Sequence, residues 1–394
     1  MTNIVSAIRL PLSCFLLAGV LGVFSSCCQP ESLTPLEGAS KHQQLFQEYW
    51  DIFDRYYPLF FRKQIDWEQV KETYASQITE TTTDQELHHL LTEINESYIR
   101  DGHTHFTSPI GEISYEGQET AFVQEDQIIA NSDQIATILG GENDPYLTYG
   151  TLKQDASIGY ILSKRFEPVV DEDSEYNNFR ASADAALEAL KDSRGVVVDL
   201  RINGGGQATF ASYLAGRFFD VAQLPWTRVR VKTGRGSSEE MLGEWLTSSF
   251  HGTMDCRVGG EGTVGSADNS NNTIIQSGEF QFTRQVVVLT SRGTASAAEF
   301  FTAAMRNLDH VTVLGDTTFG IFSGSDQIAL HYGKNWSVNI SVHDVEVYEK
   351  DLENYRSYEG VGIAPDELLI PAASSEIGNG KDLHIDRAAE IIQQ

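Results

Sequence analysis

The feature that most constrains this chain is an alternation along its second half. Short apolar runs at 158–162, 196–200, 286–290 and 311–314 are separated by stretches with helical spacing. The triplets Val196-Val197-Val198 and Val286-Val287-Val288 carry no polar residue on either side of the pleat, so their strands are buried on both faces. The spacing predicts helices over 181–191, over 208–219 and onward from Ser296. Strands joined through helices require right-handed crossovers, and these build an α/β fold around a sheet of parallel strands.

Such a sheet dictates where chemistry can sit, because ligands bind at the carboxyl ends of the strands. Two segments fall at such ends. Asp199-Leu200-Arg201-Ile202-Asn203-Gly204-Gly205-Gly206 follows a buried strand and opens a helix. Its glycines admit a close backbone approach, and the helix start supplies N–H donors. A phosphate loop or an oxyanion hole both fit; no Lys-Ser or Lys-Thr pair follows, which weakens the first. The second segment is Gly293-Thr294-Ala295-Ser296-Ala297-Ala298-Glu299. Ser296-x-x-Glu299 reads equally as a capping box and as an acyl-transfer nucleophile set on the N–H groups of a helix start.

A serine nucleophile needs a base. Asp101-Gly102-His103-Thr104-His105 supplies the best histidine, His103, and Glu359 in Tyr358-Glu359-Gly360 is a carboxylate able to orient it. The same histidines form an H-x-H pair, but with no obvious third ligand the reading is no metal and no cofactor.

The rest of the chain divides around this core. A leader at 1–27 carries Arg9, an apolar stretch over 10–24 and then Phe24-Ser25-Ser26-Cys27. That end resembles a bacterial lipoprotein cleavage box with Cys27 as the lipidated residue; an ordinary cleaved signal peptide is the other reading, and both export the protein. Residues 28–40 read as a tether. Over 41–105, Leu45, Tyr49, Ile52, Phe53 and Tyr56 fall three and four apart, and Asp66 and Asp84 mark further helix starts, so a small helical region is expected. Residues 106–155 read as a short β-rich insert. The core occupies 156–394, interrupted at 232–280 by a Gly-, Ser-, Asn- and Thr-rich excursion that suits a surface loop or lid. A strand is expected at 336–342 and a closing helix at 381–394. The net charge of -28 argues against nucleic acid and against an anionic membrane surface as partners.

Taken together, the pieces resemble the C-terminal processing (tail-specific) serine peptidases, and in particular their branch similar to the tricorn protease core. The matching motifs keep one order: 101–104, Asp199 to Gly206, Thr294 to Glu299, Gly315-Asp316-Thr317-Thr318-Phe319-Gly320, and Glu359 to Asp366. The resemblance runs from about residue 45 to the end. It implies a crotonase/ClpP-like β-α-β core with a parallel and mixed sheet, and no complete PDZ domain in 106–155. It implies Ser296 as nucleophile, with oxyanion donors at Ala297 N–H and at a glycine of the run, Gly205 or Gly206. Members with a Ser–Lys dyad carry lysine after the Phe-Gly pair, where this chain has Ile321. The base then falls on His103 with Glu359 as its partner, although Gly102 replaces the serine of the tricorn pattern and leaves Thr104 as a possible relay. The implied activity is a membrane-anchored envelope endopeptidase acting on unfolded or C-terminal protein segments. An inactive peptide- or glycan-binding scaffold and a non-peptidase acyl hydrolase are the alternatives.

Overall fold

The computed structural model describes residues 35–115, 125–169, 172–246, 273–371 and 376–394. The leader with Cys27, most of the tether and residues 247–272 of the excursion lie outside the described residues. Among the described residues, no helix is long and apolar enough to cross a membrane.

The helical region forms as its spacing predicts. Helix Lys41–Tyr56 opens on a capping box in which Gln43 N–H donates to Ser40 Oγ and Ser40 N–H returns a bond to Gln43 Oε1. Helix Trp67–Ala75 starts at Asp66. Helix Asp84–Ile94 is capped one residue earlier than the acidic start suggests, by Thr83 paired with Glu86. Helix Phe60–Lys63 is a single turn, and a π-helical turn at Asn95–Ile99 ends the region. Trp50 and Trp67 each donate an indole N–H to the other's carbonyl, at 3.1 and 3.0 Å. Tyr49, Phe53 and Trp67 share one core with Phe106, Trp336 and Val338. That core rests on a four-stranded antiparallel sheet in the order Ser325–Ala329, Ser337–Ser341, His105–Thr107, Glu112–Ser114.

The alternation produces the main sheet. Its seven strands lie in the order Glu367–Leu368, Val311–Gly315, Gln285–Thr290, Gly195–Asp199, Ile158–Ser163, Leu147–Leu152, Ala136–Gly140. The first five run parallel; the last two add antiparallel. Side chains alternate across the pleat. Val196, Val198, Val286 and Val288 pack with residues of helices Ala208–Gly216 and Ala297–Met305 on one face. Val197, Val287 and Leu289 pack with Ile385, Ala388 and Ile392 of helix Leu383–Gln393 on the other. Each such aliphatic contributes about 1.5–3 kcal/mol by leaving water.

The 106–155 stretch is not one β-rich piece. Its first two strands join the antiparallel sheet, its last two extend the main sheet, and between them Glu125–Ile135 is a helix. The helix is weakly marked because its buried apolar positions, Ile128 and Ile135, lie two turns apart, with the exposed Ile129 and mostly polar residues between them. Within the excursion, Glu239–Met241 forms a 3₁₀ turn and Thr273–Ile275 pairs with Gln223–Pro225. A third sheet, Thr227–Val231 with His343–Glu349 and Asn354–Arg356, is tied to the helical region by ion pairs. Arg62 donates to Asp344 and Glu346, and Arg230 donates to the same Asp344.

Candidate active site

Strand Gln285–Thr290 ends in a turn that is bonded throughout to its neighbours. Thr294 Oγ1 donates to Leu200 O at 2.9 Å, Ser291 Oγ donates to Arg201 O, and Ala295 N–H donates to Asn203 O. The turn delivers Ser296 as the residue before helix Ala297–Met305, with φ 53° and ψ -120°. A residue with a β-carbon pays on the order of 1–3 kcal/mol for such a backbone, and persists there only when its surroundings hold it.

Glu299 is what holds it. Its buried carboxylate accepts from Ser296 N–H (3.0 Å) and Ile321 N–H (2.8 Å) on Oε2, and from Gly320 N–H (2.7 Å) and Thr318 Oγ1 (2.6 Å) on Oε1. Burial pushes its pKa up to about 8, and the four donors pull the other way. The Glu299 half of the capping box therefore reaches beyond its own helix and fixes the 318–321 loop to the serine turn.

The glycine run lies against this turn. A β-carbon on Gly205 would sit 2.6 Å from Ala295 O, 2.7 Å from Ser296 Cβ and 2.9 Å from Ala297 N, and Gly205 itself has φ +101°. Only glycine fits there, so Ser296, Ala297 N and the Gly205 backbone enclose one small space. Gly205 N–H donates to Asn203 Oδ1 at 2.9 Å. At Gly206, φ +129°, a β-carbon would meet the Phe166 and Glu167 backbones at 2.2 Å. Beneath the run, Arg201 bridges Asp199 and Asp382 with both carboxylates buried, and Tyr160 OH donates to Asp199. The Asp-Leu-Arg motif is thus scaffold for the strand end.

His103 and Glu359 lie in a second cluster next to the first. Gly102 packs against the 319–321 loop, where a β-carbon would stand 2.8 Å from Phe319 Cε1 and 3.2 Å from Ile321 Cγ2. One residue on, Phe322 N–H donates to Glu359 Oε2 at 2.8 Å. Asp101 collects His103 N–H (2.9 Å), Tyr57 OH (3.0 Å) and Thr104 Oγ1 (3.1 Å). Thr104 Oγ1 also accepts from Ser341 N–H, which commits that hydroxyl to Asp101 and the sheet instead of to a relay. Asn339 Nδ2 donates to His103 O and fixes the loop from the other side.

The electrostatics of this cluster follow from burial. Burial lowers the His103 pKa, with the Asp101 charge opposing, so the imidazole is neutral near pH 7. Burial and then the Asp101 charge push Glu359 up to about 7, against Lys63 and the Phe322 and Ser323 backbones. Burial opposes ionisation of Asp101 too, yet Lys63 and His103 hold it below the usual carboxylate range. Among the described residues, His103 Nδ1 and Glu359 Oε1 are both buried without a hydrogen-bond partner. No hydrogen bond joins Ser296 Oγ to His103, or His103 to Glu359, among those residues.

The structure therefore brings Ser296, Ala297 and Gly205 together, with Gly206 next in the chain, and the 318–322 loop links this turn to Gly102 and to Glu359. Sequence reasoning named Asn203 in the glycine-run motif without giving it a role, and it passed over Tyr57 and Lys63. Lys63 Nζ lies 3.9 Å from Asp101 Oδ2 and 4.0 Å from Glu359 Oε1, but nothing local marks a lysine in a one-turn helix. Among the described residues, no group of three or more His, Cys, Asp or Glu is arranged to hold a metal ion.

Comparison with known proteins identifies the family. The model of peptidase family S41 matches residues 157–369, more than half of the chain. The chain belongs to that family. A second model, the tricorn protease C1 domain, matches residues 39–95 of this S41 chain, which is the helical region. The carboxy-terminal processing protease CtpA of Bacillus subtilis is 28% identical over 159 residues, 40% of this chain and 26% of the relative. The carboxyl-terminal-processing protease of a Synechocystis species is 25% identical over 240 residues, 60% of this chain and 44% of the relative. The chain thus spans less than half the length of either relative. Among solved structures, a candidate peptidase from Parabacteroides merdae aligns with TM-score 0.66 and 24% identity, over 91% of this chain and 98% of the other. Mature CPAF in complex with lactacystin aligns with TM-score 0.59 and 10% identity, over 90% and 97%. Both likenesses extend the S41 fold across the helical region and the core alike.

Proposed function

We propose that this chain is a tail-specific serine endopeptidase that cleaves unfolded or C-terminal segments of proteins through an acyl-enzyme on Ser296. His103 takes the Ser296 proton and returns it to the leaving amine, while Glu359 fixes the imidazole tautomer and stabilises its cation. Ala297 N–H and Gly206 N–H bind the tetrahedral oxyanion. Of the two glycines expected there, Gly205 has its N–H engaged by Asn203, so it serves as the gap that lets the oxygen in. The protein works in the cell envelope on a lipid anchor at Cys27, with a polypeptide substrate as its partner and no metal or cofactor.

The observation that carries this reading is the pair of buried unpartnered atoms, His103 Nδ1 and Glu359 Oε1. Leaving one such group unpaired costs about 1–3 kcal/mol, and a His–Glu hydrogen bond would satisfy both at once. Catalytic hydrogen bonds are commonly loose without substrate and tighten when it binds. A fluorophosphonate probe tests the reading. Wild type is expected to label, Ser296→Ala not at all, and His103→Ala at least tenfold more slowly. Equal labelling of wild type and Ser296→Ala would leave the inactive binding scaffold, which the missing Ser296–His103 hydrogen bond favours.

The pH dependence follows with a definite sign. Turnover needs neutral His103 and ionised Glu359, and both forms are gained as protons leave. His103 lies below its usual range and Glu359 at about 7, so kcat/KM rises with pH through about 7 and levels off above. A profile flat from pH 5 to 8 would sink the assignment of Glu359.

A further inference from the structure

We infer that Lys63 is a positioning residue of this active site: its ammonium, delivered by the helical region, bridges Asp101 and Glu359 and sets the charge that His103 faces. The inference rests on the Ser296–His103–Glu359 reading and adds to it a member contributed from outside the S41 core.

Three observations carry it. First, the side chain is held in place. Its exposure is 13%, and Nζ donates to Ile99 O at 2.9 Å and Arg100 O at 3.2 Å. These are the carbonyls directly before Asp101, so the lysine also fixes the register of the loop carrying His103. An ammonium has three donors, and two are spent there, leaving the third for the gap between the carboxylates. Its neighbour Arg62 is bound to Asp344 and Glu346, which anchors the one-turn helix on both sides.

Second, the charges need it. The carboxyl groups beside Nζ are 0% and 2% exposed, so two buried acids share one cation. Burying an uncompensated carboxylate is costly.

Third, the two carboxylates depend on it unequally. Asp101 already accepts from Tyr57 OH, His103 N–H and Thr104 Oγ1. Glu359 has only the Phe322 and Ser323 backbones, and its Oε1, 4.0 Å from Lys63 Nζ, has no hydrogen-bond partner among the described residues. Removing the ammonium therefore falls chiefly on Glu359. Burial and Asp101 push that group up while Lys63 pulls it down, so loss of Lys63 raises it further. The other charged or titratable groups facing the cluster are Tyr57, whose ring lies 5.9 Å from Nζ, and His105, whose charge acts on His103.

The test is kcat/KM against pH on fluorescein-labelled casein for wild type, Lys63→Gln, Lys63→Arg and Ser296→Ala, with a melting temperature for each. Glutamine keeps an amide donor for the two carbonyls and loses the charge; arginine keeps the charge. Lys63→Gln is expected to move the acid limb up by about one pH unit, a tenfold loss on that limb, with the alkaline plateau within about threefold of wild type. Lys63→Arg is expected to keep the wild-type limb. A role confined to packing would lower the melting temperature and the plateau without moving the limb. An unmoved limb in Lys63→Gln, or a moved limb in Lys63→Arg, overturns the inference, and the second result stands even if the glutamine protein fails to fold. Casein hydrolysis by Ser296→Ala at the wild-type rate overturns the peptidase reading and this inference with it. An inactive Ser296→Ala beside an unmoved Lys63→Gln limb overturns Lys63 alone.

Discussion

Ser296→Ala is expected to lower kcat on an unfolded protein substrate by about 10⁶-fold while leaving the fold intact. The two halves of that result separate the two roles a serine can play at a helix start. A serine that only capped the helix would cost about 0.5–2 kcal/mol of stability on truncation and leave turnover untouched. Here the bond to the Glu299 carboxylate is made by the backbone N–H of Ser296. Alanine keeps that bond, and it keeps the β-carbon that already tolerates φ 53°. The chain also keeps the Gly205 gap and the Ala297 N–H. Rate measurement together with urea denaturation checks both halves. Retained turnover would return Ser296 to the role of a cap.

Glu299→Gln is expected to damage stability and activity together. The carboxylate accepts from three backbone N–H groups and one hydroxyl, with no acceptor facing it. A glutamine amide must turn its NH₂ group toward one of the two pairs of donors, and either choice leaves up to two buried donors unpaired. At about 1–3 kcal/mol each, the loss is about 2–6 kcal/mol. The same bonds hold Ser296 in its rare backbone conformation, hold Gly320 against the 360–362 backbone and hold Ile321 beside Gly102. Release of the loop separates Ser296 from the His103 cluster, and in the proposed mechanism a displacement near 1 Å costs about 10²-fold in rate. Urea denaturation and kcat on the folded fraction measure the two effects separately. A glutamine protein with wild-type stability would mean that these donors find partners elsewhere.

The sheet was legible because its signals are local and repeated. Val196 to Val198 and Val286 to Val288 can hardly be anything but strands buried on both faces, and the helical spacing between them forces crossovers. Ser296 and the glycine run were legible for a related reason: at strand ends of a parallel sheet, residue type and position together imply a role. The helix Glu125–Ile135 was not legible, because a short helix that buries few apolar residues between polar ones shows no clean period. The role of Asn203 was hidden differently. Its amide binds Gly205 N–H two residues on, a contact visible only once the turn is built.

By itself, the sequence determined the α/β core, the helical region before it and the residue types of the candidate site. It carried these because periodicity and capping depend on neighbours within about one turn or one strand. The tertiary structure decided how the site is wired. Lys63, Asp101, Glu299, Ile321 and Glu359 span almost 300 residues, and their juxtaposition is set by sheet order and by the ion pairs that seat the helical region. Burial then shifts His103 and Glu359 in opposite directions, which no reading of residue types can supply.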